Sequence, residues 1–288
     1  MPIIAAIFMI LAGFCAASMT AFVRLSSQEL HTSEIAFFRN LLVLPIFLPI
    51  LLNNDKSIFR TANIQLNIVR AFVGSGAMLL FFYGVSLTEL AKVQALSFTI
   101  PIFATLLAIF FFNEKVRVRR WTAMLIGFAG AIIVLRPDIS MSLGPFAVLI
   151  ACFLWSMSIL IAKNLTKTDT NTSIIFWQAI GIIPASFIFS IPVWKWPNIY
   201  QFLLLAIIAI LGTLAQLFLN SALRRGKISF ILPLDYLKLI WAVILGYLIF
   251  DEIPYQSIWF GGTLIICATT YIGIRESLIS KNKPNITP

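Results

Sequence analysis

The fold is decided by residues 113–121, NEKVRVRRW, and by the segment 138 positions later, residues 251–259, DEIPYQSIW. Glu114 and Trp121 recur there as Glu252 and Trp259, with the same seven-residue spacing. The first segment carries four Lys or Arg residues and the second carries none. Because positive residues accumulate in the cytoplasmic connections of membrane proteins, the two segments are predicted to lie on opposite sides of a bilayer.

The composition requires a membrane. Of 288 residues, 60% are hydrophobic and 11% are charged, and the mean hydropathy is +0.97. A soluble domain carries about 25% charged residues, and a membrane-spanning helix needs about 20 apolar residues. We therefore predict ten spanning helices at approximately 3–23, 33–52, 64–84, 91–112, 121–136, 144–163, 173–193, 201–221, 228–250 and 257–274.

The repeat runs without gaps from the first predicted helix to the tenth. At the same offset Ser18 and Met19 match Ser156 and Met157, and Gly74 matches Gly212. Each unit has an odd number of helices, so the second enters the membrane inverted. We predict an all-α polytopic membrane protein of two inverted five-helix repeats, with a transport site near the midplane; a duplicated scaffold protein is the alternative. The predicted units are 1–137 and 138–275, followed by a cytoplasmic tail at 276–288.

The positive charges also predict the orientation. With a cytoplasmic N-terminus, fourteen of the 21 Lys and Arg residues lie on the cytoplasmic side, four on the other side and three within helices. Both termini are therefore predicted to be cytoplasmic. The first helix has neither a charged leader region nor a small-residue cleavage site, which favours a retained helix over a signal peptide.

Nothing in the sequence predicts an enzyme. It contains no His-Glu-x-x-His, no Gly-x-Ser-x-Gly and no phosphate-binding Gly-Lys-Ser/Thr loop. The single histidine, His31, falls in a connection, and the three cysteines are scattered through helices. We expect no metal, no cofactor and no nucleic acid, since the net charge of +10 follows from topology. A gradient or an exchange reaction should supply the energy.

Several segments resemble the EamA domain of the drug/metabolite transporter superfamily: residues 34–39, 70–84, 96–103, 112–116, 121–130, 135–137, 233–236 and 250–254. The resemblance implies ten helices and a central cavity lined largely by helices 3, 4, 8 and 9. Residues 30–39 and 233–237 look similar to S-adenosylmethionine uptake carriers of intracellular bacteria. This implies uptake or exchange of S-adenosylmethionine, or of an amino-acid-like or nucleoside-like metabolite, across a bacterial inner membrane. A drug or amino-acid exporter is the alternative.

Charged residues within the predicted helices are candidates for the mechanism, because each costs at least about 2.5–3.5 kcal/mol at the bilayer centre. Arg39 is predicted to bind a carboxylate or phosphate or to form an external gate, or else to pair with a neighbouring helix. Arg70 and Asp235 lie at similar depths and are predicted to form an internal gate, unless each pairs elsewhere. Lys238 shares a helical face with Asp235. It could contact an anionic substrate group, couple a proton or simply pair with Asp235.

Polar and aromatic residues complete the predicted site. Gln94 and Ser97 share a face of helix 4, and Gln216 and Asn220 share a face of helix 8. Aromatic side chains can stack on a flat or cationic ligand, and the candidates are Tyr83, Phe98, Trp155, Trp177, Tyr236 and Trp241. Pro101 and Pro233 interrupt helices 4 and 9 and are predicted hinges. The expected partners are the bilayer, a small-molecule substrate, and a coupling proton or counter-substrate.

Overall fold

The computed structural model describes residues 2–47, 59, 61–100, 102–104, 106–107, 118–135, 143–165, 168–225 and 235–281. Within these ranges the chain is all-helical. Ten α-helices are present there: α1 Pro2–Ser26, α2 Thr32–Val43, α3 Ile64–Ser86, α4 Leu90–Ser97, α5 Val118–Leu135, α6 Leu143–Leu165, α7 Asn171–Ser190, α8 Ile199–Arg225, α9 Lys238–Phe250 and α10 Gln256–Lys281.

Five of these helices are long and apolar enough to span a membrane by length and composition, namely α1, α3, α6, α7 and α8. Shorter apolar segments lie in α4, α5, α9 and α10. Helix α2 ends at Val43 and is followed by a 3₁₀ turn, Leu44–Phe47. The predicted helix 33–52 is therefore too long as a single α-helix, because Pro45 has no backbone N–H to continue the helical hydrogen bonds.

Helices α4 and α9 correct two further predicted boundaries. After α4 the chain forms a turn at Phe98 and Thr99, and α9 is preceded by a turn at Tyr236 and Leu237. The two turns are separated by the 138-residue repeat offset. Helix α4 ends at Ser97, four residues before Pro101, and a proline cannot bond to the carbonyl four residues earlier. Pro101 and Pro233 lie outside the described residues, so their role as hinges stays a prediction.

The helices of the first half pack mainly against those of the second. The most extensive contacts join α1 to α8, α3 to α6 and α5 to α10. Further contacts join α2 to α7, α3 to α7, α2 to α8, α1 to α9, α4 to α6 and α4 to α9. If each helix number is shifted by five, the α1–α8 contact becomes the α6–α3 contact, and α5–α10 is unchanged. Packing between the halves is thus reciprocal.

Two glycines let α5 and α10 approach at backbone distance. A Cβ built on Gly130 would lie 2.7 Å from the carbonyl oxygen of Gly261. A Cβ built on Gly261 would lie 2.5 Å from the carbonyl oxygen of Gly130. Small residues of this kind permit close helix packing in membranes.

A buried carboxylate, Asp169, fastens the connection after α6 to the start of α3. It accepts hydrogen bonds from Thr61 Oγ1 (2.5 Å), Ala62 N (3.0 Å), Asn67 Nδ2 (3.2 Å) and Thr168 Oγ1 (2.9 Å). Burial by itself raises the pKa of Asp169, but these four hydrogen bonds to the ionised form outweigh burial. The net pKa lies below its ordinary value.

We expect the D169N substitution to lower the free energy of unfolding by about 1.5–3 kcal/mol at neutral pH, the scale of hydrogen bonds to a charged group. The folded-state pKa is lowered, so this stability is present above the unfolded-state value of 3.8 and is lost as pH falls through the folded-state pKa. The melting-temperature difference from the wild type in detergent should therefore be constant from neutral pH down to the unfolded-state value and should shrink below it. D251N, at an exposed carboxylate, is the control. An equal difference at all pH values would contradict the assignment.

Candidate functional site

The turns that interrupt α4 and α9 meet each other. The rings of Phe98 and Tyr236 are in edge contact, with centroids 4.8 Å apart and an interplanar angle of 90°. Lys238 Nζ lies 5.1 Å from the centroid of the Phe98 ring, within cation–π range. The same ammonium group is 2.7 Å from Asp235 Oδ2. A cation, a carboxylate and two aromatic rings therefore converge where two helices are broken.

This aromatic–ionic cluster, defined by Phe98, Asp235, Tyr236 and Lys238, is partly removed from solvent. The side chains of Lys238 and Asp235 are 17% and 31% exposed, and Phe98 is buried. Sequence analysis left open whether Lys238 pairs with Asp235, and the structure shows that it does. Both charged groups remain partly accessible to solvent. A charged group of a bound ligand can therefore replace either partner of the ion pair.

Helix α1 forms another wall of the aromatic–ionic cluster. Gly13 of α1 faces Lys238, and a Cβ at Gly13 would lie 3.5 Å from the Lys238 Cβ. One turn after Lys238, Trp241 contacts the Phe14 ring at 5.3 Å. The Trp241 Nε1–H is buried without a hydrogen-bond partner in the described part of the chain. An indole N–H left in this state is a donor available to a ligand.

Two predicted polar residues of α4 are buried and hydrogen-bonded within the protein. Gln94 is buried, and its Nε2 donates to Thr20 Oγ1 of α1 at 3.3 Å. Ser97 is also buried, and its Oγ donates back to the carbonyl of Val93 at 2.8 Å. Sequence analysis placed Gln94 and Ser97 on one face of helix 4, and both remain candidates for substrate contact.

The predicted internal gate is not formed in this conformation. Arg70 Nη1 donates to the carbonyl of Ile174 at 2.8 Å, and its Nη2 donates to Gln178 Oε1 at 2.6 Å. Both acceptors belong to α7, against which α3 packs. Since Asp235 is paired with Lys238, each of the two proposed gate residues is bonded elsewhere, which is the alternative that sequence analysis had left open.

The remaining predicted residues lie apart from the aromatic–ionic cluster or outside the description. Trp155 contacts the Phe81 ring at 5.9 Å, and the Trp177 Nε1–H is buried without a hydrogen-bond partner among the described residues. Tyr83 and Gln216 are exposed. The side chain of Asn220 is outside the described residues. Arg39 is held among α2, α3 and α8.

Sequence analysis missed an ion pair at the predicted external end. Arg24, near the end of α1, donates through Nη1 to Glu252 Oε1 in the connection between α9 and α10. Glu252 Oε2 also accepts from the backbone N–H of Leu90, the first residue of α4, at 3.0 Å. Arg24 Cζ lies 4.5 Å from the Phe250 ring centroid. Glu252 was visible as a repeated residue, but its partner 228 positions away gave no sequence signal.

A second carboxylate closes the same end. Glu34 is fully buried, and its Oε1 accepts from Lys195 N, in the connection after α7, at 2.6 Å. Its Oε2 accepts from His31 N at 3.0 Å and completes a capping box at the start of α2. A cavity of about 350 Å³ opens beside this contact, lined by Ser27, Gln28, Glu29, Leu30, His31, Val193 and Lys195.

Known proteins resemble this chain over nearly its whole length. It is 30% identical over 258 residues to the S-adenosylmethionine uptake transporter of Rickettsia bellii, with 88% of each chain covered. It is 28% identical over 294 residues to the riboflavin transporter of Vibrio cholerae, with 99% and 98% covered. A solved crystal structure shares the fold, with a TM-score of 0.61 at 16% identity and coverage of 93% and 98%.

The EamA-like transporter family matches the chain twice, at residues 3–136 and again at 142–274. The family and the relatives named above are transporters and not enzymes. With its apolar helices, the chain is a membrane protein that moves a small molecule, and it belongs to the EamA-like transporter family.

Proposed function

We propose that this transporter carries S-adenosylmethionine, or a metabolite of similar amino-acid-like or nucleoside-like chemistry, across a bacterial inner membrane by uptake or exchange. It does so by alternating access between two inverted five-helix repeats, 1–137 and 138–275. The observation that carries the proposal is the aromatic–ionic cluster, which lies where α4 and α9 are interrupted. Broken helices of this kind form the substrate sites of inverted-repeat carriers.

The contact between Phe98 and Tyr236 supports the inverted repeat. These residues are related by the 138-residue offset, and their rings touch. In a pair of units related by a twofold axis, equivalent residues can touch each other only close to that axis. The reciprocal helix packing and the two family matches agree with this arrangement.

Contacts between the connections support ten crossings with both termini on one side. The Arg24–Glu252 pair and the Leu90 N–H bring together the first, ninth and third connections. Asp169 brings together the sixth and second connections. Odd-numbered connections thus meet odd-numbered ones, and even-numbered meet even-numbered, as successive crossings require. The excess of Lys and Arg residues on the same side as the termini then supports cytoplasmic termini.

The chemistry of the aromatic–ionic cluster supports the substrate class. S-adenosylmethionine carries a flat adenine ring, a sulfonium cation and a zwitterionic amino-acid group. The Phe98 and Tyr236 rings can stack on a flat base or contact a cation, and Asp235 and Lys238 offer one charge of each sign. Riboflavin is the second candidate, favoured by the Vibrio cholerae relative that covers 99% of this chain. Its isoalloxazine would use the rings but not the ion pair.

Counterflow in proteoliposomes tests this proposal. Purified transporter is loaded with unlabelled S-adenosylmethionine, and entry of the labelled compound is compared with entry of labelled riboflavin, methionine and adenosine into vesicles loaded with each. We expect accumulation of S-adenosylmethionine above equilibrium, with saturation. Accumulation of riboflavin alone would reject the assigned substrate class. Currents without saturation or counterflow would reject a carrier.

We further propose that the Arg24–Glu252 pair holds the external end closed in the conformation seen here. The pair joins α1 of the first half to the α9–α10 connection of the second and also holds the start of α4. Opening toward the outside must therefore break it. Because both side chains are only 21% and 12% exposed, the pair is stronger than an ordinary surface pair.

We expect E252Q and R24Q to weaken closure of the external end and so to slow S-adenosylmethionine counterflow several-fold. The charge-swapped R24E/E252R variant should recover part of that loss. The readouts are the initial counterflow rate and the labelling of a cysteine introduced at Ser27 by a membrane-impermeant maleimide. E29Q, at a peripheral carboxylate bonded to Gln201, is the control. Equal rates and equal labelling in all variants would exclude a gating role.

A further inference from the structure

Arg39 is a half-buried cation with weak partners. Its Nη1 reaches Asn40 Oδ1 at 3.4 Å and Met78 Sδ at 3.8 Å, both at the limit of a hydrogen bond. Its Nε is buried and has no hydrogen-bond partner in the described part of the chain. Neither neighbour carries a charge, so the guanidinium is not neutralised by the side chains that touch it.

Other cations of the helices have stronger partners. Arg24 is paired with a carboxylate, Lys238 is paired with another, and Arg70 makes hydrogen bonds of 2.8 and 2.6 Å to two oxygens. Leaving one charge of a buried pair without its counter-charge is strongly destabilising. Arg39 therefore has the environment of one half of an ion pair whose anion belongs to another molecule.

Gly212 of α8 lies against one edge of the Arg39 guanidinium. A Cβ built on Gly212 of α8 would lie 2.9 Å from Nη2 and 3.2 Å from Nε, and 2.9 Å from Met19 Sδ. The weak contacts to Asn40 and Met78 involve Nη1. The Nε–Nη2 edge therefore lies against the α8 backbone, and a side chain at position 212 would displace the guanidinium.

Neighbouring contacts hold the guanidinium in this position. Asn40 Nδ2 donates to the Ala36 carbonyl at 2.8 Å and approaches Met78 Sδ at 3.2 Å. The amide oxygen of Asn40 is thereby turned toward Arg39. Met19, which lies beside the guanidinium, and Gly13, which lies beside Lys238, are six residues apart on α1. The two sites thus differ in depth by about 9 Å along that helix.

We propose that the Arg39 guanidinium binds the carboxylate of the transported substrate, and so selects carboxylate-bearing molecules. This inference rests on the proposed transport function and assigns the anion site within it. A planar guanidinium matches a carboxylate in a way that a Lys ammonium does not. Gly212 acts as a positioning residue, because a side chain at position 212 would push the guanidinium out of its place against α8.

Competition measures the selection directly. Counterflow of labelled S-adenosylmethionine is inhibited with unlabelled S-adenosylmethionine or with its decarboxylated analogue, which keeps the adenine and the sulfonium. The wild type should prefer the carboxylate-bearing inhibitor by about 10- to 100-fold, the range for a hydrogen-bonded charged group. R39Q should bind both inhibitors within about twofold of each other, and R39K should keep only part of the preference.

G212A is the sharper variant. The atoms that a Cβ would meet, Arg39 Nη2 and Met19 Sδ, are ends of flexible side chains, so the protein should fold while the guanidinium moves. We expect G212A to lose the preference for the carboxylate, as R39Q does. G76A is the control, because a Cβ at Gly76 meets only Leu154 Cδ1 at 3.4 Å.

The outcomes separate this inference from the proposed function. S-adenosylmethionine counterflow with an unchanged inhibitor preference in R39Q would overturn the carboxylate site and leave the transport function standing. The melting temperature of detergent-purified protein supplies a second readout, independent of transport. S-adenosylmethionine and methionine should stabilise the wild type but not R39Q. Stabilisation by neither compound, or equally by the decarboxylated analogue, would overturn the inference.

Discussion

We expect K238Q to reduce the initial rate of S-adenosylmethionine counterflow at least about tenfold, the effect of removing one buried charged contact. Lys238 lies 2.7 Å from Asp235 Oδ2 and 5.1 Å from the Phe98 ring centroid. The substitution therefore removes the substrate-facing cation and leaves the Asp235 carboxylate unpaired. We expect a similar loss for D235N. K195Q, at an exposed lysine, is the matched control and should keep the wild-type rate.

The double variant D235N/K238Q distinguishes a structural pair from a binding pair. If the two charges serve only to neutralise each other, removing both leaves no unpaired charge and should restore transport. If they contact the substrate, the double variant should remain as slow as the single ones. We expect the second result. Full recovery in the double variant would remove the aromatic–ionic cluster from the substrate site.

A large effect on stability is expected for G261A. A Cβ at Gly261 would lie 2.5 Å from the carbonyl oxygen of Gly130 and 2.6 Å from Val134 Cγ2. The first of these atoms belongs to the backbone, so the clash can be relieved only by separating α5 from α10. Overpacking of this kind costs about 1–3 kcal/mol or more, which corresponds to a melting temperature lower by about 5 °C.

The adjacent glycine is the control. A Cβ at Gly262 would lie 3.7 Å from Leu239 Cδ2 and 3.9 Å from Ala95 Cβ, which is ordinary packing. G262A has the same change in composition and helix propensity one position away, so it should melt no lower than the wild type and up to about 4 °C higher. Fluorescence-detected size exclusion after heating gives both melting temperatures. Equal values for G261A and G262A would show that α5 and α10 do not cross at these glycines.

Hydropathy located the helices well, because it decides which stretches can be buried in lipid. The predicted stretches at 64–84 and 144–163 agree with α3 and α6 to within two residues at each end. The errors came at α2, α4 and α9, where a turn interrupts an apolar run. Hydropathy cannot show these turns, because an apolar residue has the same hydropathy in a turn as in a helix.

The sequence could not show which groups bond to the charged side chains within the helices. The matched depth of Arg70 and Asp235 suggested an ion pair, but α3 lies against α7 and gives Arg70 two oxygens there instead. Arg24 was counted only as a loop charge, yet it meets Glu252 across the two halves. Depth along a helix follows from residue number, whereas the face that a residue presents depends on which helices are neighbours.

By itself, the sequence determined that this protein lies in a membrane, which residues are charged within its helices, and that its two halves repeat at a fixed offset. These properties follow from composition and spacing, which are local. The tertiary structure decided that Arg24 pairs with Glu252, that Arg70 bonds to two oxygens of α7, that Phe98 meets its repeat equivalent Tyr236, and that Gly212 lies against Arg39. Such contacts join residues more than one hundred positions apart, and they exist only once the helices have packed.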